Sequence, residues 1–539
     1  MEVPLNGYYW IMSVMPIILL MVLMGKLNWG AAKAAPVTLL FGLVISVVTF
    51  KADFSVLSVE LLKALWSSLS IVLVIFTALL LYEVSKEAAT FKTLYRLVHQ
   101  VAPNELIRIL LIGVCFASFL QGFTGFGVPV LVTAPLLLQM GLAPYWAVIV
   151  PLLGHSWGGT YGTFALAWKT MLDQLNVQDA SFSASAAGYA ALFLGLFLVV
   201  SQIYIVFSYG KWKAIKKGTP ALLVLALTLG GGQLILAEPY PELAAFLPSA
   251  LSIVALVLLS KTPLYNQEWA IQNSKIKKDS QMGGLLQEER KKEKEKKSHI
   301  FQAFLPYILV ILFSLPVIMF PPLNDWMSPF TFGPGFKETK TALGFTNPSI
   351  SQYSPLSIFK HASFFLFLSS FLSFLYYKRT DAFIGKKYFT RKMSRAAQKS
   401  LFPATAIMSL IGIARVMTGT GQTIILAEGM ANVLKGSYVY IAPLVGMIGS
   451  FLTGGNMSSN ILFGNFQYYT AEIIGLNPAS VMGAQTAAGA LGMLIAPSVI
   501  VVATATIGLS GKEGKIIMKL VPFVLIMALM MGVLLAFLN

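Results

Sequence analysis

The chain has 539 residues, of which 56% are hydrophobic and only 11% are charged, a composition outside the range of soluble globular proteins. Its formal net charge is +17, but the lysines and arginines lie in short loops between apolar runs, which argues against nucleic-acid binding. A single cysteine, Cys115, and four histidines predict neither an intramolecular disulfide nor a metal site. The composition predicts an all-α polytopic membrane protein.

Apolar runs long enough to cross a bilayer recur along the chain, since a span needs about 20 residues. We predict about fourteen transmembrane helices, near residues 8–25, 34–50, 62–82, 105–121, 143–168, 185–208, 218–237, 241–260, 301–320, 359–377, 401–417, 437–452, 477–508 and 517–538. Two shorter, broken segments lie between these runs, near residues 122–140 and 453–474.

The basic loops predict the orientation of the chain. Clusters of lysine and arginine at 211–217 and 378–399 are expected to face the cytoplasm. Residues 261–299 contain a Lys/Glu-rich run that is typical of a solvated cytoplasmic linker. This linker would join an N-terminal transmembrane half, 1–260, to a C-terminal one, 300–539. Counting the predicted membrane crossings from these loops then places both chain ends on the outer side of the membrane.

The first broken segment opens with Gln-Gly-Phe-Thr-Gly-Phe-Gly-Val-Pro-Val at residues 121–130. Three glycines and a proline disfavour a regular helix, and an open backbone at membrane depth is tolerated only against protein or a water-filled cavity. The stretch is therefore a candidate solute site, although small residues can also form a notch for helix packing. The candidate residues are Gln121, Gly122, Thr124, Gly125 and Gly127.

The second broken segment places amides and hydroxyl groups at membrane depth. They are costly there unless they bind one another, the backbone or a solute, and they can donate hydrogen bonds to a carboxylate. Helix N-termini beside them would add partial positive charge for the same anion. The candidate residues are Asn456, Ser458, Ser459 and Asn460.

The two broken segments follow similar glycine intervals. In each half one glycine opens the segment, a second closes it, and a third follows seventeen residues later. These are Gly122, Gly141 and Gly158, then Gly454, Gly475 and Gly492. Because the predicted span entering the first break runs outward and the one entering the second runs inward, the pattern predicts an inverted repeat with a binding site where the units meet.

These motifs resemble the L-lactate permease family of bacterial and archaeal 2-hydroxy-acid transporters. The resemblance is carried by residues 119–122, 125–130, 458–463, 495–498 and 508–514. It implies a plasma-membrane transporter for lactate, glycolate or a similar small monocarboxylate, moved together with a cation that is usually a proton. It implies no cofactor.

The chain departs from the family pattern at two polar positions. Gln121 stands where the pattern usually has a glutamate, and Asn456 where it usually has an aspartate, and neither amide can exchange a proton near neutral pH. Residues 154–161 depart as well. The resemblance therefore favours a proton as the coupling cation, while these residues favour sodium or a proton carried by His155 or Glu428.

Two further polar residues fall inside predicted spans. Arg415 either grips a substrate carboxylate or has a structural role, snorkelling to an interface or pairing with Glu428. His155, beside Ser156, is either a satisfied structural donor or a proton relay.

The sequence has to be weighed against three functional classes: a channel, an enzyme and a carrier. A channel would need a continuous path and usually oligomeric symmetry, and an enzyme would need a catalytic constellation within the spans. The paired breaks favour a carrier instead. Its predicted partners are a small organic anion, a coupling cation and the lipid bilayer, without nucleic acid.

Overall fold

The computed structural model of the chain describes residues 6–87, 93, 97–98, 100–125, 127–175, 179–271, 273–277, 300–380 and 388–539. These residues are mostly helical, in agreement with the predicted class. Among them, nine helices are long and apolar enough to cross a membrane, or ten if the bent pair Pro478–Ile495 and Pro497–Ala505 forms one span. The count of about fourteen stays a prediction.

Among the described residues up to 260, the structure has eleven helices with described bounds. They are α1 (Gly7–Met21), α2 (Ala31–Val48), α3 (Phe54–Glu87), α4 (Glu105–Leu110), α5 (Ala117–Phe123), α6 (Val128–Gln139), α7 (Pro144–Ser156), α8 (Gly162–Leu175), α9 (Ala180–Leu225), α10 (Gly232–Ala237) and α11 (Phe246–Ser260). π-Helical turns extend α1 over Val22–Lys26 and join α4 to α5 and α9 to α10.

The described residues after 299 form ten more helices. They are α12 (Ile300–Met319), α13 (Pro321–Met327), α14 (Ala362–Arg379), α15 (Phe389–Gly419), α16 (Gln422–Leu434), α17 (Tyr438–Thr453), α18 (Asn456–Ile474), α19 (Pro478–Gly492), α20 (Pro497–Ala505) and α21 (Glu513–Phe537). Two antiparallel ribbons lie between α13 and α14. One pairs β1 (Thr331–Phe332) with β4 (Leu356–Ser357), and the other pairs β2 (Thr339–Lys340) with β3 (Thr346–Asn347).

Large apolar side chains remain exposed along many of these helices. Leu40, Leu227, Leu258 and Ile526 are 65%, 73%, 60% and 58% exposed, respectively. Apolar surface of this extent is unfavourable in water and suits a hydrocarbon environment. The outer faces of the helices therefore fit a lipid bilayer.

Both predicted breaks are visible in the backbone. At the first break, helix α5 ends at Phe123 and helix α6 begins at Val128, and Gly125 and Gly127 between them have positive φ. The second break is confined to two glycines, Gly454 and Gly455, because residues 456–474 form the regular helix α18 rather than a broken segment. The second break is therefore sharper than the sequence indicated.

A further interruption follows each break. Helix α7 passes through a 3₁₀ turn, Trp157–Gly159, before α8 begins at Gly162. Helix α19 passes through the 3₁₀ turn Met493–Ile495 before α20, which is bent from it by 43°. The predicted single spans 143–168 and 477–508 are thus each divided into two helices.

The first part of the predicted linker contacts the helices at Trp269, Ile276 and Lys277, while most of its other described residues are exposed. The Trp269 carbonyl accepts a hydrogen bond from Glu105 N at 3.0 Å, and the Ile276 carbonyl accepts one from Ala143 N at 2.8 Å. Lys277 adds an ion pair with Glu105 at 2.9 Å. Residues 261–271 and 273–277 therefore strap together the start of α4 and the turn between α6 and α7. The Lys/Glu-rich run at 288–297 lies outside the described residues.

Helix α15 packs along both α3 and α2, and α14 packs on α3. The ribbons cover one end of this group. Ala342 N donates to the Lys51 carbonyl at 3.2 Å, and the Asn347 side chain donates to the Gly419 carbonyl at 2.8 Å. The β2–β3 ribbon therefore holds the end of α15 near the end of α2.

Candidate functional site

A cavity of about 500 Å³ lies where the two breaks meet. The first break and the turn after α7 contribute one wall, and the second break with the start of α20 contributes the other. Helix α15 and the residues before α2 complete it. Lining residues include Gln121, Gly125, Gly127, Gly159, Gly162, Thr163, Thr453, Gly454, Gly455, Asn456, Met457, Ser458, Ser498, Ala406 and Ile407.

Four helices begin at this cavity, and their N-caps carry no side-chain hydrogen bond within the described residues. The N-caps are Gly30 for α2, Gly127 for α6, Gly455 for α18 and Ala496 for α20. Side-chain oxygens cap some other helices, as Asn104 does for α4 and Asn477 for α19. The unpaired N–H groups at a helix start carry partial positive charge, so the four converging N-termini favour an anion in the cavity.

The tightest turn of the second break requires a glycine. Gly454 has φ +84°, and a Cβ there would lie 2.0 Å from Ser498 Oγ. At the first break, Gly125 has φ +53°, and a Cβ would lie 2.5 Å from Thr163 Oγ1. Because these two positions are glycines, the first break can approach Thr163 and the second can approach Ser498. This close approach brings the polar backbone of each break to the cavity.

A buried polar cluster stands behind the cavity wall and joins the two parts of the chain. Asn456 Nδ2 donates to Thr160 Oγ1 and Thr486 Oγ1, both at 3.2 Å. Asn460 Nδ2 donates to Thr486 Oγ1 at 2.9 Å and to the Ala167 carbonyl at 3.1 Å. These bonds fix the start of α18 between α8 and α19.

The structure places five of the predicted site residues at the cavity. These are Gln121, Gly125, Gly127, Asn456 and Ser458. The remaining predicted residues do not line it in the described part of the chain: Gly122, Thr124, His155, Ser156, Arg415, Ser459 and Asn460. A Cβ on Gly122 would lie 2.3 Å from Phe246 Cβ, so this glycine fits the packing notch considered as the alternative.

Ser459 and the two residues of α7 have hydrogen bonds within the protein. The Ser459 hydroxyl donates to the Gly446 carbonyl at 2.7 Å and accepts from Gln485 Nε2 at 3.2 Å. His155 Nδ1 lies 2.5 Å from the backbone carbonyl oxygen four residues before it. Ser156 Oγ likewise donates a hydrogen bond of 2.7 Å to the backbone carbonyl four residues before it. The contacts of His155 match the satisfied structural donor rather than a relay.

Arg415 forms a structural ion pair, but with a partner that the sequence did not indicate. Its Nη2 and Nε lie 2.7 and 2.9 Å from Glu60 Oε2, and Glu428 is not its partner. The arginine is 7% exposed, so it does not snorkel. Glu60 was missed because the predicted span began at residue 62, whereas α3 begins at Phe54, and Lys63 fell at the very start of that span. Two charges three residues apart beside an apolar run were the available signal.

Two lining residues carry a buried acceptor without a hydrogen-bond partner among the described residues, Gln121 at Oε1 and Asn456 at Oδ1. Gln121 is 4% exposed, and its Oε1 has no hydrogen-bond partner among the described residues. A buried acceptor without a partner is unfavourable by about 1–3 kcal/mol. The cavity therefore offers an acceptor for a donor group of a bound solute, beside helix N-termini that favour an anion.

Comparisons with known proteins give a consistent family assignment. The model of the L-lactate permease family matches residues 10–539. An L-lactate permease of Halalkalibacterium halodurans is 27% identical over 509 residues, 94% of this chain and 92% of the relative. The glycolate permease GlcA of Escherichia coli is 25% identical over 561 residues, 97% and 94% of the two chains. Among solved structures, the YdaH transporter of Alcanivorax borkumensis aligns over 98% of each chain with 14% identity and a TM-score of 0.39.

Proposed function

Because the chain belongs to the L-lactate permease family, we propose that it is a secondary carrier that moves lactate, glycolate or a closely related 2-hydroxy monocarboxylate together with a cation. It is a multi-pass plasma-membrane transport protein. The observation that supports the proposed substrate class is the convergence of four helix N-termini without side-chain caps on one cavity.

The substrate carboxylate binds at the start of α18 in this proposal. Met457 and Ser458 line the cavity within the first turn of that helix, where N–H groups have no partner inside the helix. Ser498, at the start of α20, lines the same wall. Hydrogen bonds to a charged acceptor are the stronger kind, so these groups orient the carboxylate without a cationic side chain.

The substrate hydroxyl donates to Gln121 Oε1 in this proposal. The unpaired oxygen described above gains a partner only from a solute or water that carries a donor. Lactate and glycolate have that donor, whereas acetate and propionate do not. The Gln121 side chain thus favours 2-hydroxy acids over simple fatty acids of the same size.

Carrier rather than channel activity is supported by the arrangement of the breaks. Each break joins two helices, α5 to α6 and α17 to α18, and is followed by an interrupted helix, α7 to α8 and α19 to α20. We infer an inverted repeat from this correspondence together with the predicted orientation of the spans. Such repeats are typical of carriers with alternating access.

Counterflow in proteoliposomes tests this function. Vesicles preloaded with L-lactate or glycolate should show saturable uptake of the labelled acid, accelerated by the internal acid and competed weakly by propionate. Uptake that does not saturate and is not accelerated would indicate a channel, and absence of exchange with every 2-hydroxy acid would refute the substrate class. Varying pH and sodium separately then identifies the coupling cation.

A further inference from the structure

The cavity is larger than a lactate or glycolate ion requires. One water takes up about 30 Å³ in the liquid, so a lactate ion of six heavy atoms fills at most about 180 Å³ on that scale. The cavity has a volume of about 500 Å³, which is in the range of sites for much larger organic molecules. More than half of the cavity is therefore left over when one lactate ion is bound.

Part of the cavity is bounded by five aliphatic residues from three helices. They are Leu166 and Ala167 of α8, Ala406 and Ile407 of α15, and Met457 of α18, and we call them the apolar wall. Their exposed fractions lie between 3% and 8%. These residues are thus buried in the protein and border the cavity with side chains that carry no hydroxyl, amide or charged group.

Hydrogen bonds hold the three helices of the apolar wall together. Asn460, about one turn into α18, donates to the Ala167 carbonyl of α8 at 3.1 Å. Asn465 of α18 donates to Thr418 Oγ1 of α15 at 3.1 Å. Helix α18 therefore lies beside both α8 and α15, which places Met457, in its first turn, where the three helices meet at the cavity.

The apolar wall adjoins the proposed position of the carboxylate. Met457 is the second residue of α18, so its N–H is one of the unpaired groups of the helix start, while its side chain belongs to the apolar wall. Carbon 2 of a 2-hydroxy acid carries the carboxylate, the hydroxyl and one further substituent. With the carboxylate at α18 and the hydroxyl at Gln121, that further substituent is the group that can lie against the apolar wall.

An apolar face of α15 leads from the opening of the cavity to this wall. Phe402 lines the cavity and is 76% exposed, whereas Ile407 is 3% exposed. The two residues are five positions apart in α15, about 7.5 Å along the helix axis at about 1.5 Å per residue. The apolar face is therefore long enough to accompany a side chain of several carbons.

An apolar chain suits this space better than water does. A buried water is held by about two to four polar partners, and the side chains of the apolar wall offer none. Burying one methylene raises an affinity about fourfold, which corresponds to about 0.8 kcal/mol. The space beside a bound lactate therefore favours an acid with a longer carbon chain.

We propose that the preferred substrate is a 2-hydroxy monocarboxylate whose aliphatic side chain is longer than the methyl group of lactate, such as 2-hydroxyhexanoate, and that the apolar wall binds this chain. The inference rests on the proposed function and narrows its substrate class. The nine heavy atoms of 2-hydroxyhexanoate fill at most about 270 Å³ on the scale used above, which the cavity accommodates.

The test measures how 2-hydroxy acids of increasing length compete with labelled glycolate in counterflow, using the purified full-length chain in proteoliposomes at one pH. In the wild type, apparent affinity should rise about fourfold with each added carbon, from glycolate through lactate and 2-hydroxybutyrate to 2-hydroxyhexanoate. Leak of labelled glycolate from vesicles without protein controls for a direct effect of the longer acids on the bilayer.

Two variants narrow the space from different helices. Ala406→Leu in α15 and Ala167→Leu in α8 should each lower the affinity for 2-hydroxyhexanoate relative to glycolate by about tenfold, because the larger side chain takes the space of about two methylenes of the substrate. Ala397→Leu makes the same change at an exposed position nearer the start of α15 and should keep the wild-type ratio of the two affinities.

Two results would overturn the inference and leave the proposed function standing, provided that glycolate and lactate still exchange. One is an affinity that stays level or falls from glycolate to 2-hydroxyhexanoate in the wild type, and the other is an unchanged ratio in both narrowed variants. If the narrowed variants fail to insert, the wild-type series decides. Absence of counterflow with every 2-hydroxy acid would instead refute the proposed substrate class.

Discussion

Replacing Gly454 with alanine tests whether the second break positions the start of α18. A non-glycine residue in the left-handed region is unfavourable by roughly 1–2 kcal/mol, and Gly454 has φ +84°. The added Cβ would also lie 2.0 Å from Ser498 Oγ and 3.2 Å from Ser498 Cβ, so the Ser498 hydroxyl must rotate away and the two segments must separate slightly. The first turn of α18 would then move from the cavity, and loss of one charge-assisted hydrogen bond would weaken acid binding by roughly 1.5–3 kcal/mol.

Gly475 supplies a matched control for the stability lost when alanine is forced to adopt a positive φ. It has φ +78°, and a Cβ there would meet nothing within 4 Å. Gly475→Ala should therefore lower stability by the same roughly 1–2 kcal/mol but leave glycolate affinity unchanged. Adding Ser498→Ala to Gly454→Ala removes the Oγ atom that lies closest to the new Cβ and leaves the Cβ of residue 498 at 3.2 Å. The double variant should therefore be as stable as Gly475→Ala.

Thermal unfolding of the purified variants gives the stability, and counterflow competition gives the apparent affinity. Equal losses in Gly454→Ala and Gly475→Ala would refute the role of the Ser498 contact. So would a double variant no more stable than Gly454→Ala. Unchanged affinity in Gly454→Ala would show that the carboxylate does not bind at the start of α18.

Three other predictions follow from the contacts. Gln121→Leu should weaken glycolate binding by roughly 1–3 kcal/mol in competition assays without affecting acetate, and equal losses for both acids would remove Gln121 from hydroxyl recognition. Asn460→Ala should lower thermal stability by roughly 1–3 kcal/mol, because it breaks the bonds to Ala167 and Thr486; a loss of affinity alone would contradict this. Arg415→Met should destabilise the protein by about 3–5 kcal/mol by leaving Glu60 unpaired, and adding Glu60→Gln should restore part of the loss, which unfolding measurements can confirm or reject.

The breaks could be predicted from the sequence because their causes are local. Glycine and proline act on the backbone within a few residues, so residues 121–130 and Gly454 were identified without knowledge of the fold. The family resemblance also followed from short local motifs, and the match over residues 10–539 confirms it.

The roles of individual side chains could not be predicted in the same way, because they depend on which helix face meets which neighbour. Successive residues on a helix point about 100° apart, so Ser458 lines the cavity while Ser459 bonds to Gly446. The partner of Arg415 lies 355 positions away in the chain. No periodicity within one segment indicates such a pairing.

The strap formed by residues 261–271 and 273–277 affects the order in which the chain can assemble during synthesis. It holds Glu105 and Ala143 through Trp269, Ile276 and Lys277, which emerge from the ribosome long after the helices that they fasten. At about 5–20 residues per second, the roughly 135 residues between the turn before α7 and the end of the strap take about 7–27 s to translate. During that interval the start of α4 and the turn between α6 and α7 lack these bonds, so both gain this support only after α11 has been made.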